Sequence, residues 1–171
     1  MEVKPGYKQT EVGVIPEEWE VRRLDDSTEQ QRPISYGIVQ TGPDISNGVP
    51  CLRVVDINDG VINKTDLIRT SKGISDAYRR TVLKAGDLVM PLRGKVGDVG
   101  FVDADLEGAN LTRGVALLAI RQELSGPFCR HFISWSATEG AASVTCMTAT
   151  PCATGRPARP PPALLTDFIH L

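Results

Sequence analysis

The stretch Val82–Gly100, VLKAGDLVMPLRGKVGDVG, constrains the fold of this chain more than any other feature of the sequence. It opens with a turn at Ala85-Gly86-Asp87, and the short apolar run Leu88-Val89-Met90 follows. After Pro91-Leu92 the chain interleaves two cations with two glycines in Arg93-Gly94-Lys95-Val96-Gly97. A short apolar run between turn signals is typical of a buried strand. The stretch therefore predicts a buried strand that delivers a basic, glycine-rich loop to the surface.

The residues of this loop leave two interpretations open. Glycine lets the backbone approach a partner closely, and Arg and Lys donate hydrogen bonds to phosphates or base edges, so Arg93 and Lys95 could bind a polyanion. The same residues also fit an ordinary hairpin with solvated charges. The net charge of the 171-residue chain is −2 and gives no global argument for nucleic acid. Its distribution is more useful, because residues 53–95 hold nine Lys and Arg against five Asp, which favours a surface that faces a polyanion.

The remaining pattern predicts a mixed, strand-rich α+β fold with a few short helices. Residues 7–24 read as an extended arm with a turn at Pro16, which straps the terminus to the core. Gly114–Ile120, GVALLAI, is expected to be a central strand. Further strands are expected where apolar and β-branched residues stand between turn signals, at 34–38, 50–57, 61–62 and 99–103. Helices are expected at Ile74–Leu83, capped by Ser71 or Ser75, and at Pro127–Ser136, where the aromatic residues lie one turn apart.

The composition changes near Thr138. Residues 138–154 are small and polar, and Gly155–Pro162 reads GRPARPPP. Neither stretch has a strand or helix period, so an irregular, disordered tail is expected. The predicted organisation is a domain at residues 1–137 and an irregular tail at residues 138–171.

Residues that would support catalysis or metal binding are missing from the sequence pattern. Val96 follows Gly94-Lys95 where a phosphate-binding loop needs Ser or Thr. The only histidines, His131 and His170, are poorly placed for a general base. The spacing of the four cysteines matches no zinc pattern, so free thiols are expected. The sequence has no signal-peptide core and no apolar run of membrane-spanning length. A cytoplasmic, non-catalytic protein without metal or cofactor is therefore predicted.

Four segments, in this order, resemble the specificity subunit of type I restriction–modification enzymes: YKQTEVGVIPEEWEVRRL, VPCLRVVDI, LKAGDLVMPLRGKVGDVGFV and EGANLTRGVALLAI. The resemblance is to the amino-terminal part of the first target-recognition domain and covers Tyr7 to Trp135. It implies a DNA-reading domain. Full subunits of this family carry two such domains, each binding half of a bipartite site, separated by long helices. They dock methyltransferase and restriction subunits, which hold the S-adenosylmethionine and ATP chemistry.

The resemblance implies roles for individual residues. Arg93 and Lys95 would reach a phosphate or a guanine edge, and Arg113 is a second candidate for a base edge, with Asn110 and Thr112 as polar neighbours. Further cations would position phosphates: Lys64, Arg69, Lys72, Arg79 and Arg80. The alternative for each of them is a solvated surface charge. The implied partners are double-stranded DNA and the methyltransferase and restriction subunits.

The sequence departs from the family after Trp135. The rest of the first domain, the spacer helix and the second domain are not found, which puts docking of the partner subunits in doubt. Our hypothesis is that the reading frame is interrupted near Ala137 and that the tail is an out-of-frame product, which sequencing of the locus would test. Two other functions stay open, an inert truncated fragment and a polyanion- or nucleotide-binding enzyme domain that uses Arg93–Gly97.

Overall fold

A computed structural model describes residues 4–10, 13–94, 97–138 and 145–149. In these ranges the chain is a strand-rich α+β fold, as the sequence predicts. The α-helices are Lys72–Ala77 (α1) and Gly126–Thr138 (α2). The strands are short: Tyr7–Thr10 (β1), Gly13–Pro16 (β2), Trp19–Arg23 (β3), Ser35–Tyr36 (β4), Val49–Leu52 (β5), Ile57–Asn58 (β6), Val61–Ile62 (β7), Ile68–Thr70 (β8), Leu88–Pro91 (β9), Gly100–Phe101 (β10), Asn110–Leu111 (β11), Val115–Leu118 (β12) and Thr145–Ala149 (β13).

The central sheet has four antiparallel strands in the order β10-β9-β12-β4. Strand β12 lies between two neighbours and all four of its residues are buried, so the prediction of a central strand at Gly114–Ile120 is confirmed. Leu118 pairs with Leu88 at one end of the β12–β9 ladder, and Val115 pairs with Pro91 at the other. The apolar run of Val82–Gly100 is therefore the buried neighbour of this central strand.

A second sheet has the order β11-β5-β8, with β5 parallel to β11 and antiparallel to β8. The prediction of one strand over residues 50–57 is wrong, because a short 3₁₀ helix at Val54–Asp56 separates β5 from β6. The carboxylate of Asp56 accepts hydrogen bonds from the backbone N–H of Arg53 at 2.7 Å and from its guanidinium at 2.8 Å. This local side-chain bonding offers the backbone an alternative to the sheet ladder.

Alternating residues of β9 divide the core into two layers. Val89 packs with Leu52, Leu111 and other residues between the two sheets. Leu88 packs on the opposite side with Cys129 and Ile133 of α2, as the two-residue period of a strand requires. The helix α2 thus covers one face of the central sheet, and its predicted position is confirmed.

The N-terminal arm packs against the outer side of α2. Ile15 and Trp19 are buried with Phe132, and the rings of Trp19 and Phe128 meet edge to face with centroids 5.5 Å apart. The predicted arm that straps the terminus to the core is confirmed. It is built from the β1–β2 hairpin and the following strand β3.

Strand β13 pairs antiparallel with β3, with Cys146 opposite Arg22. The sequence predicted an irregular chain here, and the difference arises because the pairing partner lies more than a hundred residues away, where no local pattern reveals it. The Pro-Arg segment Gly155–Pro162 lies outside the described residues. The division into a domain and a tail stays a prediction.

Other features of the described residues bear on the sequence predictions. Cys51 and Cys129 are buried, and burial raises the pKa of the Cys51 thiol to about 11. Within the described ranges, no cluster of three or more His, Cys, Asp or Glu could hold a metal ion. The helices found there are too short or too polar to cross a membrane.

A buried ion pair joins the segment before β4 to the turn before β9. The guanidinium of Arg32 donates to both carboxylate oxygens of Asp87, at 2.9 and 2.6 Å, and to the carbonyl of Val82 at 3.0 Å. The same carboxylate accepts the backbone N–H of Lys84 at 2.8 Å. Asp87 therefore closes the turn at Ala85-Gly86-Asp87 and holds it against the chain that leads into β4.

We predict that Asp87→Ala lowers the free energy of unfolding by about 3–5 kcal/mol, because the buried Arg32 charge loses its bidentate partner and keeps, among the described acids, only the longer contact with Glu29 at 3.8 Å. Urea denaturation measures this loss. The matched control is Glu20→Gln, which breaks the exposed pair with Arg22 and should cost no more than about 1 kcal/mol. Equal losses in the two variants would contradict the structural role of the buried pair.

We also predict opposite effects of alanine at two glycines. A Cβ on Gly37 would stand 2.0 Å from the carbonyl oxygen of Leu111, and this backbone cannot move aside cheaply, so Gly37→Ala should cost at least about 3 kcal/mol. Gly73 in α1 has nothing within 4 Å of its Cβ position, so Gly73→Ala should gain about 0.5–1 kcal/mol of helix stability. Thermal unfolding of both variants checks the two signs, and a stable Gly37→Ala protein would contradict the close approach.

Candidate nucleic-acid interface

The structure brings Arg93 and Arg113 to the same end of the central sheet. Strands β9 and β12 are antiparallel, so the residues that follow β9 meet the residues that precede β12. The backbone N–H of Leu92 donates to the carbonyl of Gly114 at 2.8 Å, and each arginine is the next residue beyond this bond. Both side chains are exposed, and neither forms an ion pair with a described residue. The strand ends therefore present two available cations side by side.

Glycine shapes the loop that carries Arg93. Gly94 and Gly97 have φ of 87° and 90°, which side chains with a Cβ rarely adopt. Arg93 and Gly94 are exposed, whereas Gly97 is buried at the start of the return to β10. The prediction of a buried strand that delivers a glycine loop to the surface is confirmed for these residues. Lys95, the second predicted cation of the loop, lies outside the described residues.

Arg79 and Arg80 lie in the 3₁₀ helix Arg79–Thr81, which follows α1 and lies beside β4. Both side chains are exposed and form no ion pair with a described residue. Lys72 is also exposed, in the first turn of α1, which begins at the N-cap Ser71 because the Ser71 hydroxyl accepts the backbone N–H of Ile74. The helix predicted for Ile74–Leu83 thus begins two residues earlier, at Lys72, and ends at Ala77, before the 3₁₀ helix that carries Arg79 and Arg80.

Asn110 has a structural position and not a surface one. Its side chain is 0% exposed, and its amide nitrogen donates to the hydroxyl of Ser75 at 3.0 Å. Its amide oxygen accepts from the hydroxyl of Thr81 at 2.7 Å and from the backbone N–H of Leu111 at 2.8 Å. Asn110 ties the segment that carries Arg79 and Arg80 to the strand that leads into Arg113, and its predicted contact with DNA stays a prediction.

The other predicted contacts are partly engaged inside the protein. The hydroxyl of Thr112 donates to the carbonyl of Leu52 at 3.1 Å. The ammonium of Lys64 pairs with Asp103 and Asp105, and hydrogen bonding to these carboxylates raises the pKa of Lys64. The guanidinium of Arg69 is exposed but donates to the carbonyl of Gly48 at 3.1 Å. The structure therefore does not gather these three residues with Arg93 and Arg113 into one set of free donors.

Sequence reasoning missed Tyr36 as a surface residue. It lies in β4 between Ile34 and Ile38, and the alternation of these residues indicates a strand. In the structure Ile38 is buried, whereas the residue Tyr36 is 60% exposed. Gly37 signals only that another backbone approaches the chain closely here, and the sequence carries no local signal for the exposure of Tyr36.

We call the set of exposed arginines Arg79, Arg80, Arg93 and Arg113 the cationic edge. Guanidinium groups bind phosphates and guanine edges through paired donors. The neighbouring exposed residues Tyr36 and Leu92 add apolar area. Such a surface can bind a polyanion, and no described acidic side chain forms an ion pair with any of its arginines.

Comparison with known proteins identifies relatives of one kind. No protein-family model matches the chain. Over 118 residues it is 35% identical to the type I restriction enzyme EcoBI specificity subunit from Escherichia coli, a match that covers 69% of this chain and 25% of that protein. Over 86 residues it is 31% identical to the type I restriction enzyme MjaVIII specificity subunit from Methanocaldococcus jannaschii, covering 50% of this chain and 20% of that protein. The chain thus spans a quarter or less of the length of these relatives.

Two solved structures share the fold. The HsdS subunit from Thermoanaerobacter tengcongensis matches 88% of this chain and 33% of its own, with a TM-score of 0.54 and 16% identity. A chain from a structure described as the basis of complex assembly and conformational transition of the type I R-M system matches 80% of this chain and 35% of its own, with a TM-score of 0.57 and 16% identity. The two solved structures share the fold, and the sequence similarity shows that this chain belongs to the type I restriction enzyme specificity subunits, of which it spans a part.

Proposed function

We propose that this chain recognises duplex DNA as part of the specificity subunit of a type I restriction–modification system. The observation that carries the proposal is the cationic edge, where Arg93 and Arg113 stand exposed beside each other at one end of the central sheet. Phosphate contacts from such residues position a protein on DNA, and base contacts specify the sequence. The relatives named above are specificity subunits of restriction enzymes, which supports DNA as the ligand.

The proposed role is recognition without catalysis. Methyl transfer and cleavage would belong to methyltransferase and restriction subunits that assemble with the specificity subunit, and all of these proteins would work in the cytoplasm. We propose residues 1–137 as the recognition unit, because the three described core clusters lie between Ile15 and Ile133. The segment from residue 138 would be separate from DNA reading.

Binding of the chain to duplex DNA should depend strongly on salt, because each phosphate that an arginine neutralises releases counterions. Arg93→Gln and Arg113→Gln should each weaken binding by about 1–3 kcal/mol if the residue reads a base, or reduce the salt slope by about 1 if it contacts a phosphate. Fluorescence anisotropy titrations of a labelled duplex at several salt concentrations measure both quantities.

The matched control for this prediction is Arg22→Gln. Arg22 is an arginine on β3 whose guanidinium pairs with Glu20 at 2.9 Å, far along the chain from the cationic edge. Its replacement should leave affinity and salt slope unchanged. A parent chain that shows no salt-dependent binding, or an Arg22 variant that loses as much affinity as the Arg93 variant, would contradict the proposed function.

A further inference from the structure

Tyr36 lies on a defined face of the central sheet. In the strand register it stands opposite Ala116, and Ala116 stands opposite Met90 on the other side. Side chains at opposed positions of an antiparallel ladder point to the same face. Met90 packs against the cluster that contains Cys129 and Ile133 of α2. Tyr36 therefore projects on the face that α2 covers, yet it is 60% exposed, so α2 leaves this end of the face open.

The backbone around Tyr36 is held firmly. Strand β4 is the outer strand of its sheet, and the next residue, Gly37, lies directly against the backbone of Leu111. The backbone N–H of Ile38 donates to the carbonyl of Leu111 at 2.7 Å, and the N–H of Arg113 donates to the carbonyl of Ile38 at 2.9 Å. An exposed aromatic ring on a fixed backbone loses little further conformational entropy on binding.

Two segments that carry arginines adjoin the chain around Tyr36. The turn that carries Arg79 and Arg80 lies beside β4. Arg113 is bonded through its backbone to Ile38, two residues beyond Tyr36, and Arg93 lies next to Arg113 across the Leu92–Gly114 bond. An exposed ring on a strand whose neighbouring segments carry arginines without ion pairs to described acids complements a nucleic acid, whose bases and sugars lie between its phosphates.

We propose that Tyr36 is a DNA-contacting residue whose ring packs against base edges or sugars of duplex DNA while the cationic edge holds the phosphates. The inference rests on the proposed function. It divides the binding free energy into two contributions that a salt titration can separate, because the arginine contacts depend on salt and the contact of an uncharged ring does not. Because the faces of the bases are stacked on one another in a duplex, the ring would meet base edges, thymine methyl groups or sugars, and the loss of such an apolar contact should weaken binding about fivefold.

The experiment uses the full chain and a duplex library with randomised central positions, titrated by fluorescence anisotropy over a range of salt concentrations. Tyr36→Ala should weaken binding about fivefold with an unchanged salt slope, and Tyr36→Phe, which keeps the ring, should stay within about twofold of the parent. Tyr7→Ala is the matched control, because Tyr7 is another exposed tyrosine, on the arm hairpin, and its loss should change nothing.

Each outcome decides the matter. A parent that does not bind ends the proposed function and this inference together. If the Tyr36→Ala variant binds as tightly as the parent, the inference fails and the proposed function stands. The inference also fails if the variant has a smaller salt slope, because the ring would then only support the arginines. If Tyr36→Ala fails to fold, ultraviolet crosslinking of the parent to iodouracil-substituted duplex replaces it: attachment mapped to Tyr36 by mass spectrometry supports the contact, and attachment elsewhere overturns it.

Discussion

The close passage of Gly37 over Leu111 is the constraint on which the arrangement of the two sheets depends. Strand β4 belongs to the central sheet and β11 to the second sheet, and the chain segments meet where a side chain would have no room. The bonds from Ile38 to Leu111 and from Arg113 to Ile38 continue this contact into the turn before β12. The position of Arg113 relative to Tyr36 follows from a backbone contact that only glycine permits.

Buried polar groups then orient what the sheets carry. The side-chain amide of Asn110 is hydrogen-bonded to Ser75 and Thr81, and the guanidinium of Arg32 donates hydrogen bonds to Asp87 and Val82. Both interactions join segments separated by at least 29 residues in the sequence. A buried polar group is stable only with all its partners in place, so such bonds select one arrangement of the chain over its alternatives. These buried hydrogen bonds thus fix the positions of the segments that carry the cationic edge.

Local patterns were enough to predict the elements whose physics is local. The apolar run of β12, the aromatic spacing of α2, the Ser71 cap and the glycine loop after β9 all appear where the residues predict them. Two predictions were wrong. The local bonds of the Asp56 carboxylate to Arg53 end a strand early, and β13 pairs with β3, a partner more than a hundred residues away. Lys64 pairs with Asp103 and Asp105, and its predicted contact with DNA stays a prediction.

The candidate site shows the same division. Arg93 was recognisable from its glycine neighbours, since a glycine-flanked cation after a buried strand must reach the surface. The burial of Asn110 was not recognisable, because an Asn beside Leu-Thr in a short strand has no local signature of the Ser75 and Thr81 hydroxyls that enclose it. Exposure of Tyr36 likewise depends on how far α2 extends over the sheet, a property of tertiary packing that strand alternation does not contain.

The packing of Trp19 on Phe128 has a consequence for how the chain folds during its synthesis on the ribosome. The two rings are more than a hundred residues apart in sequence, so the loop between them must close before the contact stabilises anything. During synthesis the arm leaves the exit tunnel before α2, so its packing partner is absent until α2 has also emerged. We expect the arm of the nascent chain to stay solvated and protease-sensitive until that moment, and limited proteolysis of stalled chains would show a protected arm if the expectation is wrong.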